Sequence, residues 1–117
     1  MNTFLDVELI EDFLSANEAD QLLTELTNRL EWRQDTINLY GKSHPIPRLQ
    51  CFVASQGVRY RYSNLTMEGR GYPTALQSIR DKVESAANHS FNAVLCNLYR
   101  DGQDSMGWHS DNEPELG

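Results

Sequence analysis

The sequence predicts an α+β fold, and three features carry that prediction. Two stretches, near residues 15–30 and 74–88, repeat apolar side chains every three or four positions, as an amphipathic helix does. Two others, residues 58–63 and 91–100, alternate in twos, the period of a strand. Between the helical stretches the chain is broken by glycine and proline into pieces too short for further long helices.

In chain order, residues 1–14 mix apolar and acidic positions, and the partial alternation of Leu5, Val7 and Leu9 predicts a short strand. Ser15-Ala-Asn-Glu18 has the form of a capping box, in which hydroxyl and carboxylate satisfy each other's backbone amides, so a helix starts there. Ala19, Leu22, Leu23, Leu26 and Leu30 form its apolar stripe, with Asp20, Glu25 and Arg29 kept off it. Residues 41–47 read as a loop, because Pro45 and Pro47 each bias the preceding residue to extended geometry and neither can donate to a central ladder. Phe52, Val53 and Ala54 read as a short strand.

The next strand places Val58, Tyr60 and Tyr62 on one side and Arg59, Arg61 and Ser63 on the other. This is either a half-buried strand with solvated arginines or a polynucleotide surface, with arginine at phosphates and tyrosine stacked on a base. A second helix runs over residues 74–88, with Thr74 and Gln77 spaced as a capping pair and Ala75, Leu76, Ile79 and Val83 in the stripe. Residues 91–100 form the strongest strand, apolar on both faces and so predicted to be central and covered on both sides. Asn97 and Tyr99 put an amide and a phenol at the end of its Phe91, Ala93, Leu95 face, where a ligand can satisfy them. Asp101-Gly102 signals a turn, and a strand over residues 105–111 can return beside the first.

A chain of 117 residues fits one small domain. The start carries Asp6 and Glu8 and lacks a secretory signal, no stretch reaches membrane-spanning length, and two cysteines are too few for a disulfide framework; we expect a cytoplasmic protein, or a nuclear one in a eukaryote, with no membrane partner. The net charge of -7 argues against a nucleic-acid partner until its distribution is followed. Residues 1–35 hold nine acids and two bases, and residues 81–117 seven and two. Residues 36–80 instead hold Lys42, Arg48, Arg59, Arg61, Arg70 and Arg80 against Glu68 alone. The middle of the chain is basic.

His109 and Asp111 stand two apart on the predicted return strand, so both side chains leave one face and can converge on one metal ion. An imidazole and a carboxylate are two thirds of the facial triad that holds non-haem iron(II); zinc competes for the same donor types and needs at least one more protein ligand. His44, in the loop, and His89, at a helix end, are ordinary in those places.

The run Asn97-Leu-Tyr-Arg-Asp-Gly102, followed by Trp108-His-Ser-Asp-Asn-Glu-Pro-Glu-Leu-Gly117, resembles the signature of the AlkB-like iron(II)/2-oxoglutarate-dependent dioxygenases, particularly the branch that repairs alkylated DNA and RNA. Pro47-Arg48, Tyr60-Arg-Tyr62-Ser63, the helix from Thr74 and Ser90-Phe91-Asn92 fall in the same order at similar spacing. The resemblance implies a double-stranded β-helix, or jelly-roll, backed by the two helices. It implies that His109 and Asp111 bind Fe(II), that Asn97 and Tyr99 contact 2-oxoglutarate, and that Glu113 lies by the methylated base. It also implies a substrate lid of Arg48, Tyr60, Tyr62 and Ser63, with Tyr62 stacked on a base flipped out of the duplex. Hydroxylation of the methyl group would release formaldehyde and restore the base.

The family's second iron-binding histidine and its 2-oxoglutarate arginines follow the His-x-Asp motif, and nothing follows it here. We therefore expect the N-terminal part of a catalytic domain, truncated after the His-x-Asp strand, inactive alone and able to self-associate through exposed sheet edges. The alternatives are a non-catalytic nucleic-acid-binding or interaction module, and a dioxygenase acting on protein or lipid.

Overall fold

The computed structural model describes residues 7–62 and 65–107. The chain divides into two units, Met1–Leu30 and Glu31–Gly117.

In the first unit, helix α1 spans Ala16–Arg29. The predicted capping box forms: the Glu18 amide donates to Ser15 Oγ and the Ser15 amide to Glu18 Oε1, each at 3.1 Å. Leu22 and Leu26 are half-buried, whereas Leu23 is exposed. The predicted strand is not found in residues 7–14, which include a turn with Asp12 at φ 52°. The left-handed backbone at Asp12 ends any extended geometry three residues past Leu9. Leu5 lies outside the described residues.

Among the described residues, the second unit holds three two-stranded antiparallel sheets and a helix. Strands β1 (Thr36–Leu39) and β2 (Lys42–Pro45) form a hairpin with Thr36 opposite Pro45 and Leu39 opposite Lys42. The loop expected over residues 41–47 is thus corrected: Tyr40 and Gly41 take φ 52° and 77°, the positive pair that a two-residue hairpin turn needs. Pro45 is tolerated because it ends the ladder. Ser43 Oγ donates to Asn38 Oδ1 across the hairpin at 2.7 Å.

Strand β3 (Leu49–Ala54) is the centre of the unit, and strands β4 (Arg59–Tyr62) and β5 (Leu65–Glu68) follow as a second hairpin. Gly69 ties that hairpin to the end of β3. Its amide donates to Val58 O at 2.7 Å, and Gly71 donates to Ala54 O at 2.7 Å. A methyl group on Gly69 would meet Ser55 O and come 2.6 Å from Ala54 Cβ, so only glycine lets the two segments approach this closely.

Helix α2 spans Thr74–Ala87. Its N-cap is Pro73, with no side-chain cap hydrogen bond. The Thr74–Gln77 capping pair is therefore corrected: Thr74 already sits inside the first turn, and Gln77 N–H bonds Pro73 O at 3.0 Å instead. Asn88 closes the helix in the left-handed conformation, φ 51°.

Strand β6 (Ala93–Leu98) pairs with β3 in the register Leu49 to Leu98, Cys51 to Cys96 and Ala54 to Ala93. It is shorter than the predicted strand, because Phe91 N–H is drawn to the Glu84 carboxylate at 2.6 Å and Arg100 enters a turn with Asp104. Among the described residues β6 has one strand neighbour, so its expected central position is not seen there. Ser105, Met106 and Gly107, the described part of the predicted return strand, carry no strand.

The register divides the β3–β6 pair into two faces. Leu49, Cys51 and Val53 share one with Val94, Cys96 and Leu98. Val94 lines an apolar cleft of about 270 Å³ together with Tyr72, Leu76, Ile79, Val83 and Phe91. The opposite face carries Gln50, Phe52 and Ala54 with Ala93, Leu95 and Asn97. Among the described residues the buried apolar ones are Ile46, Val53, Ala54, Tyr60, Met67 and Leu76. No helix among the described residues is long and apolar enough to cross a membrane.

Candidate functional site

The alternation of β3 and β6 brings together residues distant in sequence. Arg48 and Tyr99 lie one step beyond the last ladder pair, Leu49 and Leu98, and keep its register: Arg48 Nη1 donates to Tyr99 Oη at 3.3 Å. The next pair on the same face is Gln50 and Asn97. Three residues singled out from the sequence, Arg48, Asn97 and Tyr99, thus gather at one end of one sheet face. Arg48 is only 4 % exposed, while Asn97 and Tyr99 are open to solvent.

A cation so deeply buried needs partners, and β3 supplies one. Arg48 Nε donates to Gln50 Oε1 at 3.4 Å, and Gln50 Nε2 donates to Asp35 Oδ2 at 2.9 Å. Asp35 Oδ1 accepts from Arg33 Nε at 2.6 Å. Paired amides and carbonyls of Arg33 and Gln50, at 3.0 and 2.9 Å, fasten residues 33–35 alongside β3. Every buried side-chain nitrogen and oxygen among the described residues has a partner. Sequence reasoning did not single out Asp35 or Gln50; the signal was the polar continuation, at Gln50 and Arg48, of the face that Ala54 and Phe52 begin.

The β4–β5 hairpin forms a second component. Tyr60 is buried with its ring stacked on Phe52, 5.8 Å between centroids at 16°, whereas Arg59 and Arg61 are exposed, as the alternation predicts. The backbone of Tyr62 pairs with Leu65. A further aromatic emerges at the tip of the β1–β2 hairpin, where Tyr40 is fully exposed next to the exposed Lys42. It was hidden because residues 41–47 read as a loop.

Around these components several groups have shifted acidities. Burial pushes the Cys96 thiol up to about 11, and the thiol of Cys51 across the ladder adds to the effect. Burial also raises Cys51, opposed by a backbone hydrogen bond at Glu31. Tyr72 is raised by burial, against the pull of Arg80, whose guanidinium lies 4.6 Å from its ring centroid. In the turn after β6, the Arg100 guanidinium forks onto Asp104 at 2.7 and 3.0 Å and its amide adds a bond at 2.9 Å, which holds the Asp104 carboxyl below its usual range.

Ser63, His109, Asp111 and Glu113 lie outside the described residues. Among the described residues no three His, Cys, Asp or Glu side chains gather as a metal site, so these residues offer no donor set for Fe(II). Asn97 and Tyr99 do fit a carboxylate-bearing group: an amide and a hydroxyl are donors open to solvent, set beside a buried guanidinium.

The model of the 2OG-Fe(II) oxygenase superfamily matches residues 6–117. Human alpha-ketoglutarate-dependent dioxygenase alkB homolog 3 is 36 % identical over 110 residues, covering 93 % of this chain and 38 % of the relative. Human DNA oxidative demethylase ALKBH2 is 36 % identical over 102 residues, 85 % of this chain and 39 % of the relative. The Arabidopsis thaliana protein of that description is 29 % identical over 119 residues, 96 % of this chain and 37 % of the relative. The chain therefore spans less than two fifths of the length of these curated relatives.

Proposed function

The chain belongs to the 2OG-Fe(II) oxygenase superfamily, and from that membership we propose that it serves in the oxidative demethylation of alkylated bases in DNA or RNA. The observation that carries this reading is the gathering of Arg48, Asn97 and Tyr99 at one end of the β3–β6 face, in a chain similar over most of its length to a protein described as a DNA oxidative demethylase. His109 and Asp111 are assigned to Fe(II), supported by their two-residue spacing and donor types. Asn97 and Tyr99 are assigned to 2-oxoglutarate. Tyr62, Ser63 and Glu113 are assigned to the side of the alkylated base, with Arg48 and the buried Tyr60 behind that surface.

Fe(II) and 2-oxoglutarate, when bound, would activate dioxygen, the oxidant that hydroxylates a methyl group, with oxidative decarboxylation of 2-oxoglutarate supplying the other two electrons. The residues of this chain do the binding and orienting. The Asn97 amide and Tyr99 hydroxyl donate to carboxylate oxygens, and Arg48 adds positive charge behind them. Arg59 and Arg61 on the outer side of β4 face solvent and suit phosphates, and the Tyr40 ring and Lys42 at the hairpin tip suit a base and its backbone. The jelly-roll is the finer form of the α+β fold, with the β3–β6 pair as its part of the major sheet; we also propose that the chain is the N-terminal portion of the catalytic domain.

The test is 2-oxoglutarate-dependent release of formaldehyde from methylated DNA and RNA oligonucleotides by a full-length protein that contains this chain, abolished by His109→Ala. Release from no methylated oligonucleotide would refute it, and oligonucleotide binding without release would favour a binding module. In the same protein, Arg59→Ala with Arg61→Ala should flatten the salt dependence of single-strand binding by about 0.7 in log–log slope for each phosphate no longer neutralised. An unchanged slope would return β4 to a purely structural role.

A further inference from the structure

Behind Arg48 the polar chain runs on through two side chains that the proposed activity does not use. Gln50 is wholly buried, and Asp35 is 5 % exposed. The hydrogen bonds of Gln50 have a direction. Its nitrogen faces the Asp35 carboxylate at 2.9 Å and its oxygen faces Arg48 Nε at 3.4 Å. A flipped amide would set oxygen against carboxylate and NH2 against guanidinium, and neither pairing can form a hydrogen bond. Asp35 thus fixes the amide, and the amide oxygen fixes the guanidinium.

The direction passes on to Tyr99. A guanidinium only donates, so across the 3.3 Å separation Tyr99 Oη is the acceptor, and the one phenolic proton must turn away from Arg48. It is then presented to an acceptor on the open side, since Tyr99 is 43 % exposed. The chain starts at Arg33, whose side chain is 64 % exposed, and ends at Tyr99, so it links two solvent-facing points through the interior. Such a buried arrangement costs stability relative to an apolar filling of the same shape, which makes a positional role the reason to keep it.

We propose that Asp35 and Gln50 are positioning residues, acting through Arg48 to aim the Tyr99 hydroxyl proton at a carboxylate-bearing ligand. The identity of that ligand, 2-oxoglutarate, rests on the function proposed above; the aiming of Tyr99 does not.

The two claims are separated by observing Tyr99 directly in the full 117-residue chain. The protein is labelled with ¹³Cζ-tyrosine, and the Tyr99 resonance is assigned as the one missing from Tyr99→Phe. Gln50→Met keeps the buried volume and removes the amide, and Asp35→Asn, a milder change, alters only the far end of the chain. Both should move the Tyr99 resonance while leaving those of Tyr40 and Tyr72 in place. A Tyr99 signal unmoved by Asp35→Asn in a chain with wild-type far-UV circular dichroism overturns the proposal and leaves the demethylase function standing.

Titration with 2-oxoglutarate is then followed by calorimetry in every variant, and by the Tyr99 signal wherever Tyr99 is present. Gln50→Met should weaken the apparent affinity by about tenfold, the scale of one charge-assisted hydrogen bond. That loss should vanish in the Tyr99→Phe background, because a residue acting through Tyr99 has nothing left to aim; an equal loss in both backgrounds overturns the proposal. If the variants move the Tyr99 signal but 2-oxoglutarate does not, the positioning chain is supported and the assignment of this site to 2-oxoglutarate falls.

Discussion

Replacing Gly69 with alanine tests how the arginine-bearing hairpin is held to the rest of the unit. The backbone of Gly69 lies outside the left-handed region, so alanine adds no dihedral strain and the cost is purely one of space. The added methyl would meet Ser55 O and come within 2.6 Å of Ala54 Cβ and 2.9 Å of Ala54 C. None of these atoms can swing aside. Ala54 is fully buried and pairs with Ala93, and the Ser55 amide is tied to Asn92 O at 3.0 Å. The hairpin must therefore back away, stretching the 2.7 Å bond from Gly69 to Val58 O or that from Gly71 to Ala54 O. Overpacking of this kind costs about 1–3 kcal/mol. Alanine also stiffens the unfolded chain, which returns about 0.4–1 kcal/mol. Gly102→Ala isolates that second effect, because Gly102 has no neighbour within 4 Å of an added Cβ and no positive φ. Subtracting the two variants cancels the unfolded-state contribution and leaves the steric one. We expect Gly69→Ala to be less stable than Gly102→Ala by about 1–3 kcal/mol in urea melts followed by circular dichroism. Equal stabilities, or Gly69→Ala the more stable, would refute the close approach and with it the seating of β4 and β5 against β3.

Two predictions concern acidity. The Cys96 thiol, raised from 9.0 to about 11 by burial, should react with iodoacetamide at pH 8 about 100-fold more slowly than an unfolded-chain thiol on thiolate fraction alone, measured by mass spectrometry of the folded and urea-unfolded chain. Because the unfolded thiol loses its proton first, stability should fall as pH rises from about 9 to about 11, and Cys96→Ala should remove that part of the slope. Asp104 has the opposite sign. Its carboxyl is depressed by the Arg100 guanidinium, so its contribution is complete above the unfolded value near 3.8 and is lost as pH falls through the lower folded value; Asp104→Asn should flatten the acid limb of a stability-against-pH curve.

The elements that could be read from the sequence were those whose signals are local. The Ser15–Glu18 box and the Val58–Ser63 alternation each involve neighbours within a turn or a strand, and both reappear, the first as two 3.1 Å bonds and the second as buried Tyr60 between exposed Arg59 and Arg61. The β1–β2 hairpin was missed because its turn uses Tyr40, a residue seldom placed at positive φ, in front of Gly41, and because two prolines follow. The site was half legible. Asn97 and Tyr99 stood out as polar residues ending an apolar strand, but Asp35 lies 15 residues from Gln50 and Arg48 lies 51 from Tyr99. Pairings at that separation leave no periodic trace, and an isolated aspartate or glutamine reads as solvated until a partner strand is placed beside it.

Polarity along the β3–β6 face changes in steps, and the steps bear on how the site is kept in place. Ala54 and Ala93 come first, then Phe52 and Leu95, then Gln50 and Asn97, and finally Arg48 and Tyr99. The apolar half supports Tyr60 through the Phe52 stack, and the polar half carries the guanidinium and phenol. On the reverse face Leu49, Cys51, Val53, Val94, Cys96 and Leu98 contain no oxygen or nitrogen in their side chains. A one-residue slip of β6 would turn Cys96 and Leu98 toward Gln50 and Arg48, strand the buried guanidinium without its phenol, and send Asn97 into the apolar side. Each of those outcomes carries a desolvation cost, so the same alternation that keeps the reverse face apolar also holds Tyr99 opposite Arg48. A polar substitution on the reverse face, such as Val94→Thr, is thus expected to loosen the site without touching it.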